Sequence, residues 1–219
     1  MSENTSVGVI GASGQLGTEF CEIISAAGMD LLPCDKGDPE ADFRRALGAS
    51  VVHWCAPLAA LETLDEFPGE STLVLHDSAM SSSLAAAGSL YERLGEMNIG
   101  ICHWLMNREQ VAIVASEATD ISEHLSLLGL NPSIMTVAEH DTLMAHSQAP
   151  LAVLSRVLLP FLTDPDNGRY LTPSAIDLRA VLLGREEQWT DETMRSILKN
   201  PQLDGLLQQL TTVINQSRI

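Results

Sequence analysis

A chain of 219 residues has room for one large domain, or for a nucleotide-binding half followed by a smaller partner. With 45% hydrophobic but only 4% aromatic residues, its core must be built mainly from Leu, Val, Ile and Ala. A net charge of −17, with only 12 Lys and Arg, excludes a general nucleic-acid or anionic-membrane surface and confines any anion site to a local cationic cluster.

The N-terminal Met1-Ser2-Glu3-Asn4 is not a basic leader segment, and no apolar run reaches the ~18 residues of a membrane span. The expectation is a reduced, cytoplasmic protein. The first element is the apolar run Val7-Gly8-Val9-Ile10, which leads straight into Gly11-Ala12-Ser13-Gly14-Gln15-Leu16-Gly17 and a helix from Thr18 to Gly28. Strand, glycine-spaced turn and helix in this order let the backbone from Gly11 through Ser13, Gly14, Gln15, Leu16 and Gly17 face a dinucleotide pyrophosphate. Gly14 would allow close approach of the phosphates, and Gly17 close packing of helix on strand. Ala12 stands where G-x-G-x-x-G has its first glycine. The plain alternative is a βα turn that needs small residues and binds no phosphate. The next strand-like run, Met29 to Cys34, ends at Asp35, about 20 residues downstream, where a ribose-binding acid is expected. There a carboxylate favours NAD over NADP, with Lys36 partly offsetting the preference; an acid at a strand end can also be incidental.

Further on, Ala41 to Gly48 suits a short helix and Val51 to Cys55 a buried strand, with Ala56 and Pro57 at the turn. Leu58 to Phe67 is expected as a helix, Thr72 to His76 as a strand stopped at Asp77-Ser78. A helix is expected from serines 81 to 83 to about Gly95, then strands Asn98 to His103 and Gln110 to Ala115. Such alternation predicts a mainly parallel sheet with helices on both faces, its ligands beyond the carboxyl ends of the strands. After this, helices are expected over Glu139 to Phe161 (kinked at Pro150), Ser174 to Gly184, Asp191 to Lys199 and Leu203 to Gln216. Asp164 to Gly168 is a loop. The expected division is a dinucleotide-binding domain over 1–137 and a helical domain over 138–219. The helical part is small and Leu-rich, so it should dock on the first domain or on a second subunit.

Cys21, Cys34, Cys55 and Cys102 form no C-x-x-C pair, and the six histidines show no zinc-type spacing, so no metal site is expected. His103 ends a strand, where a sheet of this kind exposes its chemistry, and a histidine suits proton transfer near neutral pH. It is the candidate base; the alternative is a packed histidine. His140 and Asp141 are expected to open a helix, with Asp141 a dipole or cap partner.

Taken in order, these blocks resemble the prephenate dehydrogenase family of tyrosine biosynthesis. They are the glycine turn 11–17, Trp54-Cys55-Ala56-Pro57, Leu73-Val74-Leu75-His76-Asp77, Gly100-Ile101-Cys102-His103, and Glu139-His140-Asp141-Thr142-Leu143-Met144-Ala145-His146-Ser147-Gln148-Ala149. The last is close to the family's E-H-D-x-x-M-A-x-x-Q-A. The resemblance implies a Rossmann-type doubly wound α/β domain followed by a small all-helical dimerisation domain, NAD or NADP as cofactor, and a homodimer through the C-terminal helices. It implies oxidative decarboxylation of prephenate or arogenate, small anionic substrates, with His103 as base. By the same resemblance Ala56 and Pro57 lie on the cofactor, and Ser78, Gln148, Arg108 and Arg179 toward the substrate.

The chain also departs from the family. His103 matches the family histidine only with one residue inserted, and otherwise Cys102 takes that place; Trp104 replaces the following proline. The Ser-Val-Lys lysine is absent from Ser78-Ala79-Met80-Ser81-Ser82, Ala152 stands for a histidine, and the family arginine falls near Ala175 or Ile176. Arg108, Arg179 or Arg185 would have to supply the missing charge. A non-catalytic dinucleotide-binding or regulatory relative is therefore the alternative. A short-chain reductase acting on a nucleotide sugar would need Tyr-x-x-x-Lys, but Gly95 follows Tyr91 and Ser174 follows Tyr170 at that spacing.

Overall fold

The computed structural model describes residues 5–105 and 110–216, and the chain divides into two compact units, Met1–His140 and Asp141–Ile219. Within the first, β1 (Ser6–Ile10), α1 (Gln15–Ala26), β2 (Asp30–Cys34), α2 (Glu40–Leu47), β3 (Val51–Trp54), β4 (Thr72–His76), α3 (Met80–Leu94) and β5 (Asn98–Leu105) alternate as the sequence implies. There follow β6 (Val111–Ala115), α4 (Ser122–Leu127), β7 (Asn131–Met135) and α5 (Val137–Ser147), the last running across the boundary between the units. The seven strands form one sheet in the order β2-β1-β3-β4-β5-β6-β7, parallel throughout except where β6 runs against β5. The strand order reverses between β1 and β3, the place where doubly wound sheets leave a ligand crevice.

Strand alternation sorts the core. Val7, Val9, Val51, Val74, Cys102 and Trp104 point to one face, where Phe20 and Ile24 of α1 and Leu125 of α4 cover them. Gly8 points the other way. A Cβ there would run into the carbonyl oxygen of Ala46, so only glycine lets α2 lie this close to β1.

Several boundaries differ from expectation. α1 begins at Gln15, inside the glycine motif, one turn before Thr18. Leu58 to Phe67 forms no α-helix; Leu58–Thr63 is a 3₁₀ turn, whose Leu61 and Glu62 carbonyls accept from the Arg93 guanidinium, the Leu61 carbonyl also accepting from Leu64 N at 3.1 Å. α4 and β7 were not expected. β7 contains Pro132 and polar residues, which the edge of a sheet tolerates because an edge strand can lack an amide donor.

The second unit holds α6 (Ala149–Thr163), a 3₁₀ turn (Gly168–Tyr170), α7 (Pro173–Gln188), α8 (Asp191–Leu198) and α9 (Leu203–Gln216). Pro150 does not kink one long helix: α5 stops at Ser147 and Pro150 sits in the first turn of α6, where a missing amide costs nothing. Thr172 and Thr190 cap α7 and α8. Two small cores result, one around Ala149, Ala152, Met194, Ile197 and Leu203, the other around Leu159, Leu162 and Leu182. Among the described residues no helix is long and apolar enough to cross a membrane.

Candidate active site

The turn after β1 is fixed on both sides. Gly11 N donates to the Cys34 carbonyl at 2.8 Å, and Cys55 N donates to the Ile10 carbonyl at 2.8 Å. Gly11 has φ +85°, and a Cβ on it would lie 2.8 Å from the Ala56 amide nitrogen, so Ala56 and the glycine turn are in close contact. A Cβ on Gly17 would run into the Gly11 carbonyl and come within 2.8 Å of the Ala12 Cα. Gly14 is exposed, with only the Gly11 oxygen near its Cβ direction at 3.2 Å. α1 starts there with no side-chain cap and no acid in its first turn. Its first amides, from Gln15, Leu16 and Gly17, therefore carry the helix's positive end with no acid of the helix's own first turn set against them.

Asp35, just past β2, reaches the same turn. Both its carboxylate oxygens accept from Ser13 N, at 3.1 and 2.9 Å, and its own amide donates to Asp38 at 2.8 Å. The structure thus brings Gly11, Ser13, Gly14, Gln15, Leu16, Gly17, Asp35 and Ala56 together around one turn. Pro57 lies at the mouth of the adjoining β3 turn, exposed, its carbonyl accepting from the Trp54 indole at 3.3 Å. Ser78 stands ahead of α3, its amide donating to the Asp77 carboxylate at 2.7 Å.

His103 occupies the carboxyl-terminal half of β5. Because Cys102 and Trp104 point into the α1/α4 core, His103 points to the opposite face. There its Nδ1 lies 2.8 Å from Nε2 of His140, ring centroids 5.1 Å apart and edge-on, both side chains buried. Sequence reading gave His140 no partner. α5 also starts earlier than expected, and the cause is a capping box: Thr136 Oγ1 accepts from Glu139 N while the Glu139 carboxylate accepts from Thr136 N at 2.9 Å. Thr136 pulls the Glu139 carboxyl below its ordinary range. The Glu117 carboxylate adds a bond to Val137 N at 3.0 Å. The Thr-x-x-Glu spacing was the signal that could have placed this start. Asp141 accordingly does not open the helix; it is buried, and its carbonyl accepts from Asn200 Nδ2 at 2.8 Å within the second unit.

Gln148 lies between α5 and α6 and the half-buried Arg179 on α7, both in the second unit; Arg185, exposed on α7, sits with its guanidinium 5.9 Å over the Trp189 ring. Arg108 lies outside the described residues. Burial pushes the Cys102 thiol up to about 12, so it stays a neutral core group. Among the described residues no cluster of His, Cys, Asp and Glu is placed to hold a metal ion.

No protein-family model matches this chain, and no curated protein matches it in sequence. Solved structures do match over almost its whole length. The prephenate dehydrogenase from A. aeolicus, solved with hydroxyphenyl propionate and NAD+, is 13% identical with a TM-score of 0.73, covering 99% of this chain and 90% of that one. A Corynebacterium glutamicum protein provisionally named a prephenate dehydrogenase is 15% identical with a TM-score of 0.72, covering 97% and 80%. The Synechocystis arogenate dehydrogenase is 18% identical with a TM-score of 0.60, covering 97% and 93%. The chain has the fold of the prephenate and arogenate dehydrogenases, carried by a far-diverged sequence.

Proposed function

We propose that this protein is a nicotinamide-dinucleotide-dependent dehydrogenase of the prephenate or arogenate type. The observation that carries the reading is the β1–α1 turn: an uncapped helix start, crowded glycines and the Asp35 carboxylate converge on one crevice at the strand-order reversal. That donor set fits a dinucleotide, with backbone amides for the pyrophosphate and a carboxylate for two ribose hydroxyls. The same carboxylate repels a 2′-phosphate, so NAD is preferred to NADP. When bound, the nicotinamide supplies the hydride acceptor.

His103 is the proposed base and His140 the residue that holds its ring. Taking the proton from the ring hydroxyl makes the hydride on the same carbon a better leaving group. Loss of the ring carboxylate as carbon dioxide then aromatises the product, and the proton returns to the phenolate oxygen. The proposed setting is the reducing cytoplasm, in keeping with four unpaired cysteines. The second unit is the proposed dimer surface. Its α6, α7 and α9 leave Val157, Phe161, Val181 and Val213 more than half exposed, and a second copy of the chain would cover them.

The substrate side is depleted in cations, because the Ser-Val-Lys lysine is missing and Ala152 replaces a histidine. Burying the two carboxylates of prephenate without fixed cations is costly. Incubation with NAD and either prephenate or arogenate, followed by reduced-nicotinamide absorbance, tests the reading. We expect measurable turnover, with kcat/KM for prephenate below the ~10⁴ M⁻¹s⁻¹ low end of ordinary enzymes. No reduced nicotinamide from either substrate, with NAD still bound, would establish the non-catalytic relative that the depleted cation set favours.

A further inference from the structure

On the sheet face opposite His103, three histidines from separate elements form a buried hydrogen-bonded chain. His53 of β3 is the middle member: its Nδ1 lies 2.9 Å from Nε2 of His76 at the end of β4, and its Nε2 lies 2.9 Å from Nε2 of His124 on α4. All three are buried, and Phe20 of α1 stacks on His53 with ring centroids 4.4 Å apart. The two outer nitrogens, His76 Nδ1 and His124 Nδ1, are buried and have no hydrogen-bond partner among the described residues.

A count of protons shows what such a chain can tolerate. Three neutral imidazoles carry three N–H donors and three lone pairs. The two contacts use two of each and leave one donor and one acceptor at the outer nitrogens. One added proton keeps both hydrogen bonds but buries a cation with unsatisfied N–H groups at both ends. A second leaves a single lone pair for two contacts, so one contact must open with N–H facing N–H.

Among the described residues of the first unit no buried carboxylate compensates such a charge; Asp120 and Glu123 line the same surface cavity as His124, but both are exposed to solvent. α1 presents Phe20 and Cys21, with Glu22 outside in solvent; β1 presents Val9, and β5 presents Cys102 and Trp104. Cys55 follows β3, β6 adds Ala112 and Val114, and Ile121, just ahead of α4, and Leu125 within it complete the lining, while Glu123 of α4 is exposed. Asp77 follows His76 and is only half-buried, and Asp120 lies exposed ahead of α4. Burial raises the Cys21, Cys55 and Cys102 thiols, so they stay neutral as well.

We propose that His53, His76 and His124 form an acid-responsive latch that ties α4 to β3 and β4, closed while the chain is neutral and opened by uptake of two protons. Burial, then the neighbouring His76 and His124 rings, hold His53 well below the ordinary histidine value of 6.5; burial, then His124, holds His76 to about 3; and burial alone holds His124 to about 4. The sign follows. Folded values below the open-state value mean that closure is complete above about pH 6.5 and weakens as pH falls toward the folded values. His124 yields first, because it lines a surface cavity of about 430 Å³ at the amino ends of the strands, whereas His53 is fully enclosed.

The test is imidazole ¹⁵N NMR together with native-state hydrogen exchange of the α4 amides, on the full-length protein from pH 8 to 5. Expected are three rings that keep neutral-tautomer shifts through the ordinary histidine range. The α4 opening constant, corrected for intrinsic exchange, should rise ~10²-fold per pH unit below 6.5, the slope of a two-proton event. His124→Gln keeps one hydrogen bond to His53 but cannot take up a proton, and should reduce the slope to ~10-fold. Three independent titrations near 6.5 in wild type with constant α4 protection would overturn the latch, as would an unchanged slope in His124→Gln. If that variant does not fold, the wild-type shifts decide alone.

Discussion

At the residue scale, the proposed roles of two side chains are separable. Asp35 accepts twice from Ser13 N, so its carboxylate is already fixed beside the turn before any ligand arrives. Asp35→Asn keeps an acceptor oxygen but removes the charge that repels a 2′-phosphate. It should raise NADP affinity at least ~10-fold relative to NAD, about 1.4 kcal/mol in the difference, read by competitive cofactor titration. An unchanged ratio would show that Asp35 only braces the turn. His103 should be separable from cofactor binding, since it sits on β5 and the proposed dinucleotide seat lies at the ends of β1, β2 and β3. His103→Asn should lower kcat by ~10²–10⁴-fold, the ordinary worth of a general base, with the Kd for NAD unaltered. Near-full turnover in that variant would return His103 to a packing role with His140.

At the element scale, α5 joins motif to structure. In the E-H-D triplet Glu139 closes the capping box, His140 reaches His103, and Asp141 is buried with its carbonyl tied to Asn200. Thr136→Ala removes one half of the box and should cost ~0.5–2 kcal/mol by chemical denaturation. It should also raise KM or lower kcat through a loosened His140; full stability and activity would mean that Glu117 alone anchors the helix start. The strongly periodic elements were legible in the sequence: β1 through β6, α2, α3 and α7 to α9 lie within a few residues of expectation, and so does the glycine turn, whereas Glu139 to Phe161 is two helices and not one. The misses have physical causes. Leu58–Thr63 is a short 3₁₀ turn with the distant Arg93 guanidinium on its Leu61 and Glu62 carbonyls, and β7 is a polar edge strand with a proline. Neither His103–His140 nor the His53 chain could be read from spacing, because their partners are 23 to 71 residues apart and meet only through the sheet.

At the scale of the whole molecule, the second unit's two small cores and its exposed Val157, Phe161 and Val213 predict a homodimer. Sedimentation at micromolar concentration should give twice the 23.6 kDa chain mass; a monomer would contradict it and leave those helices to another partner. The proposed dinucleotide seat between β1 and α1 is tested most directly by calorimetric titration of the purified protein with NAD. Saturable binding of one NAD per chain is predicted, tighter than NADP, and abolished by Gly17→Ala, whose Cβ would run into the Gly11 carbonyl. No binding of either dinucleotide to the folded wild-type protein, or undiminished binding to Gly17→Ala, would contradict it.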